Sequence, residues 1–218
     1  MSTEIEPSGD EQPESNKRVR RTQAERRAEI GEATYRLLGK HGMNGTTVHR
    51  IAEAVGVTAQ ALYAHFDSRN DMLVAAMDSV YERVSRWLRI SSNPNMLERL
   101  RETGQAHSSF MAAELGFVIP VFEFVLAPRD SDLASRFGRQ QLQVLGEIAA
   151  LVEQGKEQGT IRQDMDPMLA AWQLIVFAWS EDIARLMSRE EYISEGYSAS
   201  ILDLFIRDMA PPEAPQKD

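Results

Sequence analysis

Residues 46–66 contain two short helical patterns joined by one glycine, and this segment constrains the fold more than any other. The first pattern has apolar residues at helical spacing, which are Val48, Ile51, Ala52 and Val55. Gly56 then supplies a residue that tolerates the positive φ of a tight turn. Thr58 can cap the next helix, in which Leu62 and Phe66 face inward. This layout predicts a helix-turn-helix, whose second helix enters the major groove of DNA.

The charge is distributed unevenly along the 218-residue chain, although the net value is −9 at pH 7. Residues 1–16 contain five acidic side chains and no basic one, whereas residues 17–90 contain 13 basic and 8 acidic side chains. Residues 91–218 return to an acidic balance, with 11 basic and 20 acidic side chains. A basic module between two acidic segments is typical of a protein in which only one part faces a nucleic acid.

Composition narrows the class of protein further. The sequence has no cysteine, which excludes a disulfide framework and a thiolate metal site. Its N-terminus lacks the apolar core of a signal peptide. The longest apolar run, residues 168–179, is shorter than the roughly 20 residues that span a bilayer. We therefore expect a cytoplasmic protein with no membrane partner, and we assign it no metal and no cofactor.

The periodicity predicts an all-α fold in five segments. Residues 1–21 form a disordered acidic tail that ends in a basic arm, and residues 22–68 form the three-helix head that holds the helix-turn-helix. Residues 69–93 form a connecting helix and the polar break that follows it. A second helical domain occupies residues 94–210, and residues 211–218 form a polar tail.

Local signals place the ends of several helices. Ser68 opens the connecting helix, and Asp71 stands where a capping box would have Glu or Gln. In the second domain, Asp166 precedes a proline and caps the most apolar helix, whose run ends at Glu181 and Asp182, on an expected wet edge. Ile193, Tyr197, Ile201, Leu204 and Phe205 are expected to form one stripe on the last helix.

The head resembles the DNA-binding segment of the TetR family of bacterial transcriptional regulators. The matching residues are Gly42, Thr46-Thr47-Val48, Ile51-Ala52, Gly56-Val57, Leu62-Tyr63, His65-Phe66, Ser68-Arg69 and Leu73. The resemblance covers roughly residues 22–75 and implies a homodimer, in which each subunit reads one half-site of a pseudo-palindromic operator. It also implies that residues 94–210 bind a small-molecule effector and dimerise, with the last two long helices pairing as a four-helix bundle.

The resemblance further implies which side chains contact double-stranded DNA. Hydroxyls at the start of the second helix meet phosphates, His49 stands where many members carry an arginine that reaches a base, and Gln60 is the best candidate to read adenine. The full set is Arg18, Arg20, Arg21, Thr46, Thr47, His49, Thr58, Ala59, Gln60, Tyr63, His65 and Arg69. Taken alone, the arginine arm also fits a solvated charge run, and Tyr63 and His65 also fit ordinary packing.

The second domain offers candidates for an effector pocket and for a dimer interface. The pocket candidates are His107, Phe110, Met111, Glu114, Phe122, Glu123, Trp172 and Phe177. The interface candidates are Trp179, Ile193, Tyr197, Ile201, Leu204 and Phe205. His107 equally fits a hydrogen-bonded core histidine, and Glu123 fits a carboxylate that points to solvent or pairs with an arginine. The apolar and aromatic character of the pocket candidates predicts a mainly hydrophobic ligand, which is cationic if Glu114 or Glu123 faces it.

Three functions compete for this sequence. The first is a ligand-responsive transcriptional regulator, most often a repressor, that its effector releases from DNA. The second is a helical architectural DNA-binding protein without an effector. The third is an enzyme with a vestigial helix-turn-helix, but the sequence has no nucleophile elbow, phosphate loop or HExxH motif. We therefore predict the regulator and expect no enzymatic activity, with the architectural protein as the alternative.

Overall fold

The computed structural model describes residues 22–113, 118–129 and 131–212, and within these ranges its regular secondary structure is helical throughout. The helices are α1 (Gln23–Gly45), α2 (Val48–Ala54), α3 (Ala59–Tyr63), α4 (Arg69–Leu88), α5 (Met96–Ala113), α6 (Val118–Val125), α7 (Asp132–Glu157), α8 (Pro167–Leu186), α9 (Glu191–Ser194) and α10 (Tyr197–Met209). The predicted all-α fold is confirmed. None of the helices in these ranges has the length and apolarity needed to cross a membrane.

Side-chain caps begin the long helices at the positions that the sequence indicates. Thr22 and Glu25 form a capping box at the start of α1. Ser68 accepts a hydrogen bond from the Asp71 amide, and this cap fixes the first turn of α4. Asp166 accepts hydrogen bonds from two amides of α8, directly before the proline that opens that helix. Because these caps use residues close in sequence, the sequence locates these starts correctly.

Two glycines with positive φ shape the head and the last helices. Gly56 has φ 69°, which confirms the predicted turn between α2 and α3. Gly196 has φ 86° and separates α9 from α10, so the predicted single stripe is wrong at its first residue. Ile193 lies in α9, whereas Tyr197 begins α10.

The apolar side chains are buried in three clusters. The head cluster consists of Ile30, Ile51, Ala52, Leu62, Phe66 and Met72. A central cluster joins α1, α4, α6 and the start of α7, with Leu38, Val80, Val121, Phe124 and Phe137 among its members. A C-terminal cluster contains Trp87, Ile148, Leu174, Phe177 and Ile206, among others. Helix α4 contributes to all three clusters and therefore connects the head to the remainder of the protein.

Helices α1 and α4 pack closely because α1 carries a buried glycine at the contact. A Cβ placed on Gly31 would lie 2.7 Å from the carbonyl oxygen of Ala75. Further along the same pair, Arg83 donates two hydrogen bonds of 2.9 and 3.1 Å to Glu32. Burial alone raises the pKa of Glu32, but the bonds and charges of Arg83 and Arg36 outweigh burial and lower that pKa. The two helices are therefore held by steric fit and by an ion pair.

The close fit of α1 against α4 predicts opposite effects for two glycine substitutions. Gly31→Ala should lower the free energy of unfolding by about 1–3 kcal/mol, because the added methyl group meets backbone atoms that cannot move away cheaply. Gly138→Ala is the control: Gly138 lies on α7 with open space around its Cβ position, and the change should stabilise by about 0.5–1 kcal/mol. Urea denaturation measures both values. Equal effects of the two substitutions would contradict the packing described for α1 and α4.

Candidate functional site

The predicted helix-turn-helix is formed by α2 and α3. Thr47 caps α2 by accepting a hydrogen bond from the Arg50 amide at 3.3 Å, and Thr58 caps α3 by accepting from the Ala61 amide at 3.2 Å. The second helix is shorter than its pattern indicates, because α3 ends at Tyr63 and the chain turns before Phe66. The two helices are locally fixed, since each has its own threonine cap and both bury residues in the head cluster.

Most of the residues predicted to contact DNA are exposed on this head. The exposed members are Thr47, His49, Thr58, Ala59, Gln60 and Tyr63, the last with 49% of its surface accessible. Leu62, within α3, and Phe66, just after it, are buried and hold α3 in place. The individual DNA contacts of the exposed residues stay predictions, and Arg18, Arg20 and Arg21 lie outside the described residues.

Two of the residues predicted to contact phosphate have hydrogen-bond partners within the protein. Thr46 is fully buried, and its hydroxyl donates a 2.8 Å hydrogen bond to the carbonyl of Gly42. Arg69 donates from Nε to the carbonyl of Thr46 at 2.8 Å and from Nη2 to the carbonyl of Met43. Carbonyl groups at the end of a helix lack partners within the helix, and these two side chains satisfy them. Thr46 and Arg69 thus close the end of α1.

Arg27 supports the recognition helix, a role that the sequence analysis missed. Its guanidinium lies 4.2 Å from the centre of the Phe66 ring and also donates to the carbonyl of His65. His65 itself is half-buried, and its Nδ1 is buried without a hydrogen-bond partner. The charge pattern described residues 17–90 as basic, but only the tertiary contact reveals that Arg27 fixes the chain just after α3.

A small cavity of about 40 Å³ lies among α4, α5, α6, α7 and α8. Its apolar walls are Val80, Val84, Trp87, Phe110, Met111, Val121, Val144, Ile175, Ala178 and Trp179. Its polar walls are His107, Gln141 and Asp182. Helix α4 supplies part of the wall, and so the cavity lies directly against the helix that also contributes to the head cluster.

The structure brings only some of the predicted pocket residues together. His107, Phe110 and Met111 line the cavity, and Glu114 lies outside the described residues. The other four predicted pocket residues do not line it, and Trp179, predicted for the dimer interface, does. Helical periodicity places a side chain on a face of its helix but does not identify the neighbouring helix, and for this reason it did not group the residues that line the cavity.

The four predicted pocket residues that do not line the cavity lie elsewhere in the structure. Phe122 packs against Trp179 with ring centres 6.3 Å apart, and Phe177 is buried in the C-terminal cluster. Trp172 is exposed. The Oε1 of Glu123 lies 2.8 Å from the ideal Cβ position of Gly42, beside the last turn of α1. Of the two carboxylates proposed to face a cationic ligand, Glu123 is therefore at α1 and not at the cavity.

A buried polar cluster forms one end of the cavity, where the sequence predicted a wet edge. Glu181 and Asp182 are only 4% and 3% exposed, because α5 and α10 cover this part of α8. His107 Nδ1 lies 2.7 Å from Glu181 Oε2, and Ser198 donates to the other oxygen of Glu181. His107 is thus both a hydrogen-bonded buried histidine and a wall of the cavity.

The carboxylate of Asp182 has fewer hydrogen-bond partners than that of Glu181. Its Oδ1 is buried without a hydrogen-bond partner, and His107 Nε2 is 3.9 Å away. Burial raises the pKa of Asp182 to about 6, against a smaller opposing effect of the charge of His107. Perturbed carboxylates inside a cavity are candidates for functional groups. Within the described part of the chain, His, Asp and Glu side chains form no group suited to a metal ion.

Helices α8 and α10 present apolar side chains to solvent. The exposed members on α8 are Met168, Leu169, Trp172, Val176, Ile183 and Leu186, and those on α10 are Tyr197, Ile201 and Leu204. Phe205 is half-buried against the C-terminal cluster, and Ile193 is half-buried in α9. Large exposed apolar patches mark interaction surfaces. We call the exposed side chains of α8 and α10 the bundle face.

Comparison with known proteins identifies the head. Residues 30–76 match the family model for bacterial regulatory proteins of the tetR family. The transcriptional regulator TtgR of Pseudomonas putida is 38% identical over 85 residues, a match that covers 38% of this chain and 40% of TtgR. The chain therefore matches about two-fifths of the length of the first curated relatives.

Longer matches extend beyond the head. The transcriptional repressor KstR2 of Mycobacterium tuberculosis is 29% identical over 153 residues, which covers 65% of this chain and 72% of KstR2. A crystal structure of the transcriptional regulator FadR from Bacillus subtilis, in complex with stearoyl-CoA, superposes with a TM-score of 0.67 at 19% identity. That superposition covers 83% of this chain and 98% of FadR, and it establishes a common fold.

The buried charge of Asp182 predicts a pH-dependent gain in stability for Asp182→Asn. The folded-state pKa of about 6 lies above the ordinary value of 3.8, so the native protein loses stability as pH rises through this window. Asparagine does not ionise, and its advantage over aspartate should grow by about 2–3 kcal/mol between pH 4 and pH 7.5. Denaturant unfolding at both pH values measures this growth.

Asp203→Asn is the matched control for this experiment. Asp203 is a partly exposed carboxylate on α10 that accepts a 2.8 Å hydrogen bond from Arg101. Its substitution should change the free energy of unfolding by less than about 1 kcal/mol at either pH. An Asp182→Asn variant whose stability relative to the wild type is the same at pH 4 and pH 7.5 would contradict the buried charge.

Proposed function

Since this chain belongs to the TetR family of bacterial transcriptional regulators, we propose that it is a ligand-responsive repressor. It binds a pseudo-palindromic operator as a homodimer and leaves that operator when a small, mainly apolar effector enters the cavity. The observation that carries this proposal is the path of α4, which forms part of the cavity wall and also contributes Met72 to the head cluster.

The head has the features that DNA binding requires. Gln60 and Tyr63 are exposed on α3, while Leu62 anchors that helix in the head cluster. A glutamine amide can pair with adenine through two hydrogen bonds, and a tyrosine hydroxyl can bind phosphate. Residues 17–90 carry a net charge of +5, from 13 basic and 8 acidic side chains, which favours a polyanion.

The bundle face supports a homodimer. Trp172 on α8 is 48% exposed and Leu204 on α10 is 62% exposed, and both lie in a run of apolar side chains along their helices. Two copies that pair through these helices bury the apolar side chains in a four-helix bundle. The pairing presents two heads to two half-sites.

The cavity supports control by an apolar effector. Its walls are mostly aliphatic and aromatic, and its few polar groups can fix the orientation of a ligand. FadR, which shares the fold, is solved with stearoyl-CoA, a molecule with a long apolar chain. A ligand that binds better to the arrangement unable to bind DNA shifts the equilibrium away from the operator.

The alternative is an architectural DNA-binding protein without an effector. The cavity and its buried polar cluster favour the regulator, because DNA attachment alone does not require a charged group at the edge of an apolar cavity. Footprinting on genomic DNA distinguishes the two functions. A regulator protects a few discrete palindromes, whereas an architectural protein protects long and uneven tracts.

Two substitutions on α3 should separate base reading from phosphate binding. Gln60→Ala should relax base preference at one position of each half-site, at a cost of about 1–3 kcal/mol for the preferred base. Tyr63→Phe should weaken binding to all sequences about equally, because it removes a hydroxyl that contacts the backbone. In-vitro selection of bound DNA, followed by affinity measurement on matched and mutated sites, gives both results. Unchanged selection profiles for both variants would mean that α3 does not read the groove.

The bundle face predicts that one charge on α10 converts the dimer to a monomer. Leu204→Glu places a carboxylate in the proposed interface, where it would be buried without a partner. Leu142→Glu is the control, since Leu142 is 64% exposed on α7, outside the bundle face. Light scattering should give a monomer for the first variant and a dimer for the second, with operator affinity lost only in the first. A dimeric Leu204→Glu variant would refute this interface.

A further inference from the structure

Asp182 is a buried carboxylate at the cavity with one oxygen that accepts no hydrogen bond. The side chain lines the cavity and is 3% exposed, and its Oδ1 has no hydrogen-bond partner. Leaving a charged acceptor buried and unpaired is costly, whereas a donor placed against it restores the lost interaction. The free protein therefore holds an acceptor that a ligand inside the cavity can satisfy.

The basic groups near Asp182 leave its Oδ1 without a hydrogen bond. His107 on α5 pairs through Nδ1 with Glu181 at 2.7 Å, and its Nε2 is 3.9 Å from Asp182 Oδ1, which is too long for a hydrogen bond. Arg185 on α8 donates from Nη2 to the carbonyl of Ser108 at 2.8 Å and to its hydroxyl at 2.6 Å. Glu181 adds a second negative charge on the same helix turn. Arg185 Nε is itself buried without a hydrogen-bond partner. Asp182 Oδ1 therefore stays without a hydrogen bond, while the charges of His107 and Arg185 act on it from a distance.

The aromatic walls suit a cation as well as an apolar body. Trp87, Phe110 and Trp179 all line the cavity. The faces of such rings attract positive charge, most strongly where water is excluded. The indole N–H of Trp87 is already donated to the carbonyl of Thr103 at 2.8 Å, so this ring offers a ligand its apolar and π surface.

We propose that the effector is an amphiphilic organic cation, with an apolar body among the aliphatic and aromatic walls and one protonated nitrogen that donates to Asp182 Oδ1. This inference rests on the proposed function and specifies the effector of that same site. Asp182 thereby replaces Glu123, which lies beside Gly42, as the carboxylate proposed to select a cationic ligand. A carboxylate should also bind more weakly than a cation, because its negative charge would then lie against that of Asp182.

Ligand entry has to widen the cavity. Its volume of about 40 Å³ is well below the roughly 150 Å³ that accommodates a benzene ring. Val80, Val84 and Trp87 of α4 are part of the wall that has to move. Occupation by the cation therefore displaces the helix that extends to the head cluster, and it couples recognition at Asp182 to the position of the head.

Three probes with the same apolar body test the charge preference. They are 4-phenylbutylamine, 4-phenylbutanol and 4-phenylbutyrate, titrated into the intact protein at pH 7.5. Intrinsic fluorescence reports binding, since two of the three tryptophans line the cavity. We expect the amine to bind about tenfold or more tightly than the alcohol, and the carboxylate to bind weakest. Equal affinities, a preference for the carboxylate, or no binding of any probe would overturn the proposal.

A pair of isosteric variants assigns the preference to one carboxylate. Asp182→Asn should bring the affinity for the amine down to that for the alcohol and leave the affinity for the alcohol unchanged. Glu123→Gln removes the carboxylate beside Gly42 and should keep the full preference for the amine. A preference that survives Asp182→Asn, or disappears in Glu123→Gln, would overturn the assignment. The wild-type ranking tests the cation preference independently of whether Asp182→Asn folds.

DNA binding separates the failure of this inference from the failure of the proposed function. A protein that protects discrete palindromes but shows no amine preference refutes the cationic effector and leaves the repressor standing. A protein that prefers the amine but selects no DNA sequence refutes the repressor and retains the cation site. Release of a selected palindrome by the amine, and not by the carboxylate, supports both.

Discussion

The path of α4 through three separate clusters is the constraint on which the rest of the structure depends. Met72 lies in the head cluster, Val80 in the central cluster and Trp87 in the C-terminal cluster, all on one helix of 20 residues. A helix transmits displacement along its axis because its hydrogen bonds resist stretching and bending. Any change in volume at the cavity therefore acts on an element that is also anchored in the head.

The contact between α1 and α4 makes this transmission specific. Gly31 allows the two backbones to approach, and Arg83 ties α4 to Glu32 of α1. Helix α1 also ends at the carbonyls that Thr46 and Arg69 satisfy, directly before the cap of α2. In the proposed mechanism, movement of α4 would reach the start of the helix-turn-helix through packed backbone and charge-assisted hydrogen bonds. A ligand that donates to the unpaired Oδ1 of Asp182 would supply free energy for that movement.

Local chemistry explains what the sequence could predict. The turn at Gly56 and the caps at Ser68 and Asp166 depend on residues within a few positions of each other, and all three are observed. The fold class follows from apolar periodicity in the same way. The sequence pattern predicts a recognition helix that includes Phe66, whereas α3 ends at Tyr63. The chain after Tyr63 is held by a contact from Arg27, which no local pattern indicates.

Tertiary contacts explain what the sequence could not predict. Arg69 lies 26 residues from the Met43 carbonyl that it caps, and no local pattern links the two. Glu181 and Asp182 end an apolar run and so resembled a solvent edge, but His107, 74 residues away, closes over them. Trp179 lines the cavity and Phe122 packs against it, which the sequence could not indicate for a similar reason: periodicity gives the face of a helix without its neighbour.

The distance between the two heads of the proposed dimer tests the central claim most directly, namely that cavity occupancy moves the heads through α4. Because the chain has no cysteine, Glu53→Cys on the exposed surface of α2 gives one spin-label site per subunit. Pulsed electron resonance on the operator complex should give one narrow distance, set by half-sites about 34 Å apart. Saturation with 4-phenylbutylamine should shift that distribution to a longer distance as DNA is released. Release of DNA with an unchanged distance distribution would contradict the account.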